Sequence, residues 1–158
     1  MMSKKREREL QQVEERLGYV FTNRQLLNRA LTHASSHEGP SNERLEFLGD
    51  RVLGLIMAEY LFVQSEGYPE GEMAAMLNHF VRGETCAQIA RRLRLVEALR
   101  GRPTGPGGSV ARSVLADAME AVLAAIFLDG GLGAARAFVL HHWHEHLSSG
   151  PEISQGPK

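Results

Sequence analysis

The segment 112–128 constrains this chain most, because it is strongly apolar and yet carries two carboxylates, Asp117 and Glu120. Apolar residues fill most of its positions, and a glycine pair at 130–131 follows it. This pattern predicts a helix that the rest of the fold surrounds. Asp117 and Glu120 are three residues apart, so they lie on one face of that helix. Buried carboxylates cost several kcal/mol unless something compensates their charge.

The rest of the chain also has the apolar spacing of helices, and no stretch alternates apolar and polar residues as a half-buried strand would. Thr22 followed by Gln25 is the pattern of a capping box and predicts the start of a helix. Ser41 or Asn42 is a suitable cap for the next one. We expect helices over 7–17, 22–31, 42–66, 72–81, 84–95, 112–128 and 133–147. The predicted fold class is therefore all-α, a helical bundle.

Two segments have the composition of loops or linkers. The stretch GRPTGPGG (101–108) holds four glycines and two prolines, so we expect an exposed loop. The stretch SSGPEISQGPK (148–158) has the composition of a linker or a disordered tail. We therefore expect one folded domain over residues 1–147, followed by that linker.

Composition limits the classes of protein to consider. The charged start of the chain does not have the form of a signal peptide, and no apolar run approaches the ~18 residues that a membrane span requires, so we expect a cytoplasmic protein without a membrane partner. Cys86 is the only cysteine, which excludes an internal disulfide and favours a small core residue. The net charge of −1 argues mildly against a nucleic-acid partner, so any RNA-binding function must depend on locally placed residues.

A second helix carries acids beside its apolar stripe. Glu46 and Asp50 lie one turn apart, within about 40° of each other around the helix, and Glu43 precedes them. One interpretation is that the acids pair with basic residues such as Arg44, Arg51 or Arg112. The other is that four carboxylates from two helices hold a divalent cation. Because no cysteine or regular histidine pattern competes for the ion, Mg²⁺ or Mn²⁺ fits better than zinc.

The same residues resemble a known family. NERLEFLGDRVLGLI (42–56) is very similar to the signature of the ribonuclease III family, and GGSVARSVLADAMEAVLAAIFLDGG (107–131) resembles the family's second conserved block. ALTHAS (30–35) and EGEMAAMLNHFVRGETCAQIA (70–90) match further blocks in the right order. The resemblance extends from about residue 7 to about residue 147.

The resemblance implies the endonuclease-domain fold of this family and a homodimer. It implies that the metal ligands are Glu46, Asp50, Asp117 and Glu120. Among these, Asp50 and Glu120 are the strongest candidates for catalysis. Glu43 and Glu70 match acidic positions that line the RNA-binding cleft. Phe47 matches an aromatic that inserts into the partner subunit, although by its pattern alone it could be an ordinary core aromatic.

The implied activity is Mg²⁺-dependent hydrolysis, with Mn²⁺ as a possible substitute, of both strands of double-stranded RNA to 5′-phosphate and 3′-hydroxyl ends. The implied roles are in processing of rRNA, mRNA and tRNA precursors. Family members usually carry a double-stranded-RNA-binding domain after this one, which we expect to be absent from this chain.

Two other functions stay open at this point. One is a catalytically silent, double-stranded-RNA-binding or ribosome-associated relative, although such relatives typically lose one or more of the acids. The other is a metal-independent ribonuclease that uses histidines and the 2′-hydroxyl and leaves a cyclic phosphate. The histidine-rich HHWHEH (141–146) suits a helix C-terminus better than a zinc site, because too few further ligands accompany it.

Overall fold

The computed structural model describes residues 2–102 and 109–148, and these residues fold as α-helices joined by short loops. The helices are α1 (Lys4–Leu17), α2 (Arg24–Ala30), α3 (Glu43–Gln64), α4 (Glu70–Val81), α5 (Gly83–Arg92), α6 (Arg112–His142) and α7 (His144–Ser148), with a 3₁₀ helix at Leu95–Ala98 before α6. Within the described ranges there is no β-strand, and Thr32 and Arg100 form an isolated bridge. The predicted all-α class is confirmed. Residues 103–108 of the predicted loop and 149–158 of the predicted linker lie outside the described residues.

Helix α6 is the centre of the bundle, as its apolar sequence predicts. Its residues 121–126 are all buried, and α2, α3 and α5 pack around it. The helix is longer than predicted, because the chain continues through Gly131, whose φ of 87° and ψ of 178° make a kink rather than an end. The two helices predicted over 112–128 and 133–147 thus meet at this kink, and the second ends at His142.

This length changes one expectation about membranes. We expected no apolar run long enough for a membrane span, but α6 has an 18-residue window with a mean hydropathy of 1.6, of which 44% is buried. By length and composition alone it is therefore long and apolar enough to cross a bilayer. A core helix of a folded domain meets the same criteria, and α6 is the helix that the others surround.

Several predicted helix ends shift for identifiable reasons. Helix α2 begins two residues later than predicted, because the side chain of Asn23, not that of Thr22, caps it by accepting a hydrogen bond from the Gln25 N–H at 3.1 Å. Helix α3 follows Asn42 as predicted, but the Asn42 amide donates to the Ala30 carbonyl instead of capping the helix. Cys86 is fully buried, and this burial raises the pKa of its thiol, in agreement with a core role.

Candidate metal centre at the crossing of two helices

Helices α3 and α6 approach each other most closely at Gly49. A Cβ atom added at Gly49 would lie 1.8 Å from the backbone oxygen of Glu120, far inside any allowed contact. Glycine is therefore required for the two acid-bearing helices to cross at this point. The sequence pattern around Gly49 does not show where the two helices cross, although a glycine inside an apolar helix is a signal of close packing.

The crossing brings together carboxylates from both helices. Glu46 of α3 and Asp117 and Glu120 of α6 each offer an oxygen atom, and these oxygens all lie within 4.8 Å of one another. All three residues are half-buried. Asp50 is exposed and lies outside this compact set, but its side chain hydrogen-bonds Glu120. The structure thus brings the four predicted acids to one place, with three of them forming the tight group.

Burial, together with the crowding of like charges, raises the pKa of these carboxyl groups. Burial, followed by the hydrogen bond and charge of Asp50 and the charges of Glu46 and Asp117, raises the pKa of Glu120 to about 9. Burial, followed by the charge and hydrogen bond of Asp117 and the charges of Glu43 and Asp50, raises the pKa of Glu46 to about 7. Without a cation, the group therefore retains protons near neutral pH.

Asp117 is held between opposing influences. Burial raises its pKa, while the hydrogen bond with Glu46 and the positive charge of His33 act to lower it. The net direction is upward, which is consistent with a proton shared between Asp117 and Glu46. The position of His33 near the site could not be predicted, because the loop after α2 has no periodic pattern that would show where it folds back.

None of the ion pairs formed by the described residues includes any of these four acids. Arg112 instead pairs with Glu84 at 2.7 Å, and the Arg51 guanidinium lies 5.5 Å from the centre of the Phe47 ring. The interpretation that the acids are compensated by basic residues is therefore wrong for this structure. Without a cation, retained protons relieve the charge of this group, and a cation from outside the chain would compensate the acids once they are ionised.

The donor set fits a hard divalent cation. It consists of carboxylate oxygens alone, which Mg²⁺ and Mn²⁺ prefer, and includes no thiol or imidazole that would favour zinc. Glu46, Asp117 and Glu120 are the residues that would hold the ion, with Asp50 beside them. Their individual roles in metal binding and catalysis stay predictions.

The other predicted site residues lie on the surface near the crossing or farther away. Glu43 is exposed in the first turn of α3, and its charge contributes to the raised pKa of Glu46. Glu70 is exposed at the start of α4. Phe47 is 67% exposed, so the interpretation of it as a core aromatic is wrong for the single chain, and it lines a surface groove with Leu48 and Leu128.

The histidine-rich segment after α6 serves the fold. A ring nitrogen of His142 lies 2.7 Å from the Leu17 carbonyl oxygen, and the buried Trp143 donates its indole N–H to the Phe80 carbonyl at 2.9 Å. Among residues 2–102 and 109–148, no group that could hold a metal includes these histidines.

Comparison with known proteins places this geometry in a family. The model of the ribonuclease-III-like family matches residues 23–147. The chain is 49% identical over 143 residues to ribonuclease 3 of Phenylobacterium zucineum, covering 87% of this chain and 60% of the relative. It is 47% identical over 155 residues to ribonuclease 3 of Jannaschia sp., covering 96% of this chain and 68% of that relative. The chain thus spans about three fifths to two thirds of the length of these relatives.

Solved structures agree with the sequence comparison. A nuclease-domain structure of ribonuclease III from Campylobacter jejuni, described for flexibility in its region involved in dimer formation, has a TM-score of 0.80 and 34% identity. The match covers 88% of this chain and 99% of that domain.

Proposed function

Because this chain belongs to the ribonuclease III family, we propose that it is a metal-dependent endoribonuclease that hydrolyses phosphodiesters in both strands of double-stranded RNA. The observation that carries the proposal is the compact group of Glu46, Asp117 and Glu120, none of which forms an ion pair with another described residue. We propose Mg²⁺ as the ion, with Mn²⁺ as a substitute, and processing of rRNA, mRNA and tRNA precursors as the role. The ribonuclease 3 names of the relatives support the activity.

A divalent cation held here would supply Lewis acidity, which lowers the pKa of water and offsets negative charge on the reacting phosphate. The chain's own residues set the conditions. The close approach at Gly49 fixes the distance between the acids of α3 and those of α6. Asp50 is exposed, so the solvent side of the group is open to a phosphodiester, and in the metal-free chain Asp50 accepts a hydrogen bond from the protonated Glu120.

Proton release from the acids is linked to loading of the site. The pKa values of Glu46 and Glu120, about 7 and about 9, mean that these groups must lose protons before they can all act as ligands. Metal affinity should therefore increase as the pH rises. A second, like-charged acid loses its proton more readily once a cation has entered the group.

We also propose that the active form is a homodimer. The exposed apolar side chains Phe47, Leu55 and Leu128 support this, because they are 67%, 58% and 52% exposed in the single chain. A symmetric pair would place two acidic groups on one duplex, which is what cutting both strands requires. Light scattering at micromolar concentration should give the mass of a dimer, whereas a fully active monomer would contradict the proposal.

The activity test uses the purified chain, a long RNA duplex and a single-stranded RNA of the same sequence. We expect cleavage of the duplex with Mg²⁺, none with excess chelator, and products that end in 5′-phosphate and 3′-hydroxyl. Cleavage that survives chelation, or a cyclic phosphate at the product ends, would indicate a metal-independent ribonuclease. Duplex binding without cleavage at saturating Mg²⁺ would indicate a catalytically silent relative.

A further inference from the structure

A second polar cavity, separate from the acidic group, lies between the start of α1, helix α2, the loop after α2 and the chain that follows the 3₁₀ helix. Its volume is about 550 Å³. Three arginines line it, Arg6, Arg29 and Arg100, against one acid, Glu38. The chain as a whole has a net charge of −1, so this cavity concentrates positive charge on a protein that is otherwise nearly neutral.

Arg6 is the most enclosed of these arginines, with 7% of its surface exposed. Its Nε donates to the Asn28 Oδ1 at 2.8 Å, and its Nη1 donates to Glu9 at 3.0 Å and to the Ala98 carbonyl at 2.6 Å. Its Nη2 is buried and has no hydrogen-bond partner. A buried guanidinium donor without an acceptor is uncommon in folded proteins and indicates a missing partner.

Arg100 is incompletely satisfied in the same cavity. Its Nη2 donates to the Thr32 hydroxyl and to the Glu38 carbonyl at 3.4 and 3.2 Å, which are long bonds. Its Nε is buried without a hydrogen bond, and lies 3.7 Å from the Glu38 carboxylate. Among the described residues, each of these two arginines thus has a buried donor without a hydrogen bond. The positive charge of Arg100 also disfavours the positive charge of Arg6.

We propose that this cavity binds a phosphate-bearing small molecule of nucleotide size. Guanidinium groups bind phosphate oxygens through charge-assisted hydrogen bonds, and three arginines, Arg6, Arg29 and Arg100, line this cavity. The amides of Asn23 and Gln25 and the side chain of Leu26 line the same space and suit the polar edge and apolar face of a base. The volume is in the range of small-ligand sites.

The test measures binding to the whole chain by calorimetry, without added metal, using inorganic phosphate and adenosine 5′-monophosphate as separate probes. We expect the nucleotide to bind more tightly than phosphate. Arg100→Gln should weaken both by about tenfold, since one charge-assisted contact is lost. Glu38→Gln should strengthen both by about threefold, because it removes the one lining acid. Arg136→Gln, outside the cavity, is the matched control and should leave binding unchanged.

The gain of affinity in Glu38→Gln keeps the test decisive even if Arg100→Gln fails to fold, because the Glu38 side chain is 64% exposed. If neither probe binds at a concentration of about 10 millimolar, the proposal is overturned. Equal affinities in wild type, Arg100→Gln and Glu38→Gln would also overturn it. If these two variants change affinity for duplex RNA but not for either probe, the cavity contacts an RNA backbone, and the small-ligand proposal is wrong.

Discussion

Two sets of partly or fully buried acids in this fold differ in how the chain compensates their carboxyl groups. Glu14, 3% exposed, accepts hydrogen bonds from the Arg24 guanidinium and the Phe21 backbone N–H, each at 2.9 Å. Asp129 accepts from the Tyr19 hydroxyl at 2.7 Å and from two backbone N–H groups of the chain before α2. Burial acts to raise the pKa of Asp129, but these hydrogen bonds outweigh it, and the net pKa is lowered.

The acids at the crossing of α3 and α6 have no such partners. Glu46, Asp117 and Glu120 mainly face one another, and the pKa of each is raised. The same bundle does contain acids with hydrogen-bond donors beside them, since Arg24 pairs with Glu14 and the Tyr19 hydroxyl donates to Asp129. The difference separates acids that hold the fold together from acids whose charge a ligand must compensate.

The sharpest test of this difference is Glu120→Gln. We expect cleavage of double-stranded RNA to fall at least about 1,000-fold, because a single essential catalytic group commonly accounts for that much. Metal-free stability should stay the same or rise, since one member of a like-charged group is removed. Initial rates on duplex RNA at saturating Mg²⁺, together with urea unfolding in chelator, measure both quantities.

Glu15→Gln is a suitable control for this experiment, because Glu15 is an exposed acid of α1. It should change neither the rate nor the urea midpoint. Unchanged turnover in Glu120→Gln would show that the cation is held elsewhere and that the acidic group is not the active site.

The second test concerns the place where the two acid-bearing helices cross. Gly49→Ala should lower the free energy of unfolding by about 3 kcal/mol or more, because its Cβ would meet the Glu120 backbone oxygen at 1.8 Å. Gly54→Ala, five residues later on the same helix with nothing within 4 Å, should be neutral or stabilising by up to about 1 kcal/mol. Equal stability of the two variants in urea would show that the crossing relaxes.

Much of the fold could be predicted from the sequence, because helical periodicity and glycine breaks are local signals. The sequence predicts Thr22 as the cap of α2, whereas Asn23 caps the helix in the structure. Two adjacent polar residues can each cap a helix, and only tertiary packing selects one of them. The sequence predicts that the helix ends before Gly131, whereas the structure has a kink there. A glycine pair is compatible with a helix end and with a kink. Such choices depend on the energy of the surrounding core, which no local pattern contains.

The four acids of the site were predicted from their placement on two helices, and the structure brings them together. Their unequal status was not predicted, since Asp50 lies on the exposed side of the group and Glu46 on its inner side, a difference that helix spacing of four residues does not show. The contribution of His33 depends on how the loop after α2 folds, and the role of Gly49 depends on where α6 crosses. Both are properties of packing between elements distant in sequence.

The third test removes a supported acid. Asp129→Asn should lower the free energy of unfolding by about 1–3 kcal/mol, because the amide can no longer accept every hydrogen bond from Tyr19 and the backbone N–H groups. The rate of cleavage per folded molecule should stay unchanged. A variant with wild-type stability would show that these hydrogen bonds contribute little, and the contrast between the two groups of acids would be weakened.

The smallest expected effect is a dependence of metal-free stability on pH. The pKa of Glu120 is about 9 in the folded chain against 4.5 as its ordinary value, and that of Glu46 is about 7. Between the ordinary value of 4.5 and the raised pKa of each glutamate, the folded state binds more protons than the unfolded state, so the free energy of unfolding decreases as pH rises. His142 acts in the opposite direction below its ordinary pKa of 6.5, because burial lowers its pKa.

From pH 8 to pH 9 Glu46 has lost most of its proton and His142 is neutral, so the wild-type profile reports Glu120 together with the buried thiol of Cys86. Because Cys86 is common to both chains, the difference between the wild-type and Glu120→Gln profiles isolates Glu120. Urea midpoints in chelator should decrease across this window in the wild-type chain and decrease less in Glu120→Gln. Saturating Mg²⁺ should flatten the wild-type profile, because a cation that binds only the folded state displaces the protons and stabilises the ionised acids. A wild-type profile that is flat in chelator would mean that the group is already compensated within the chain, as Asp129 is.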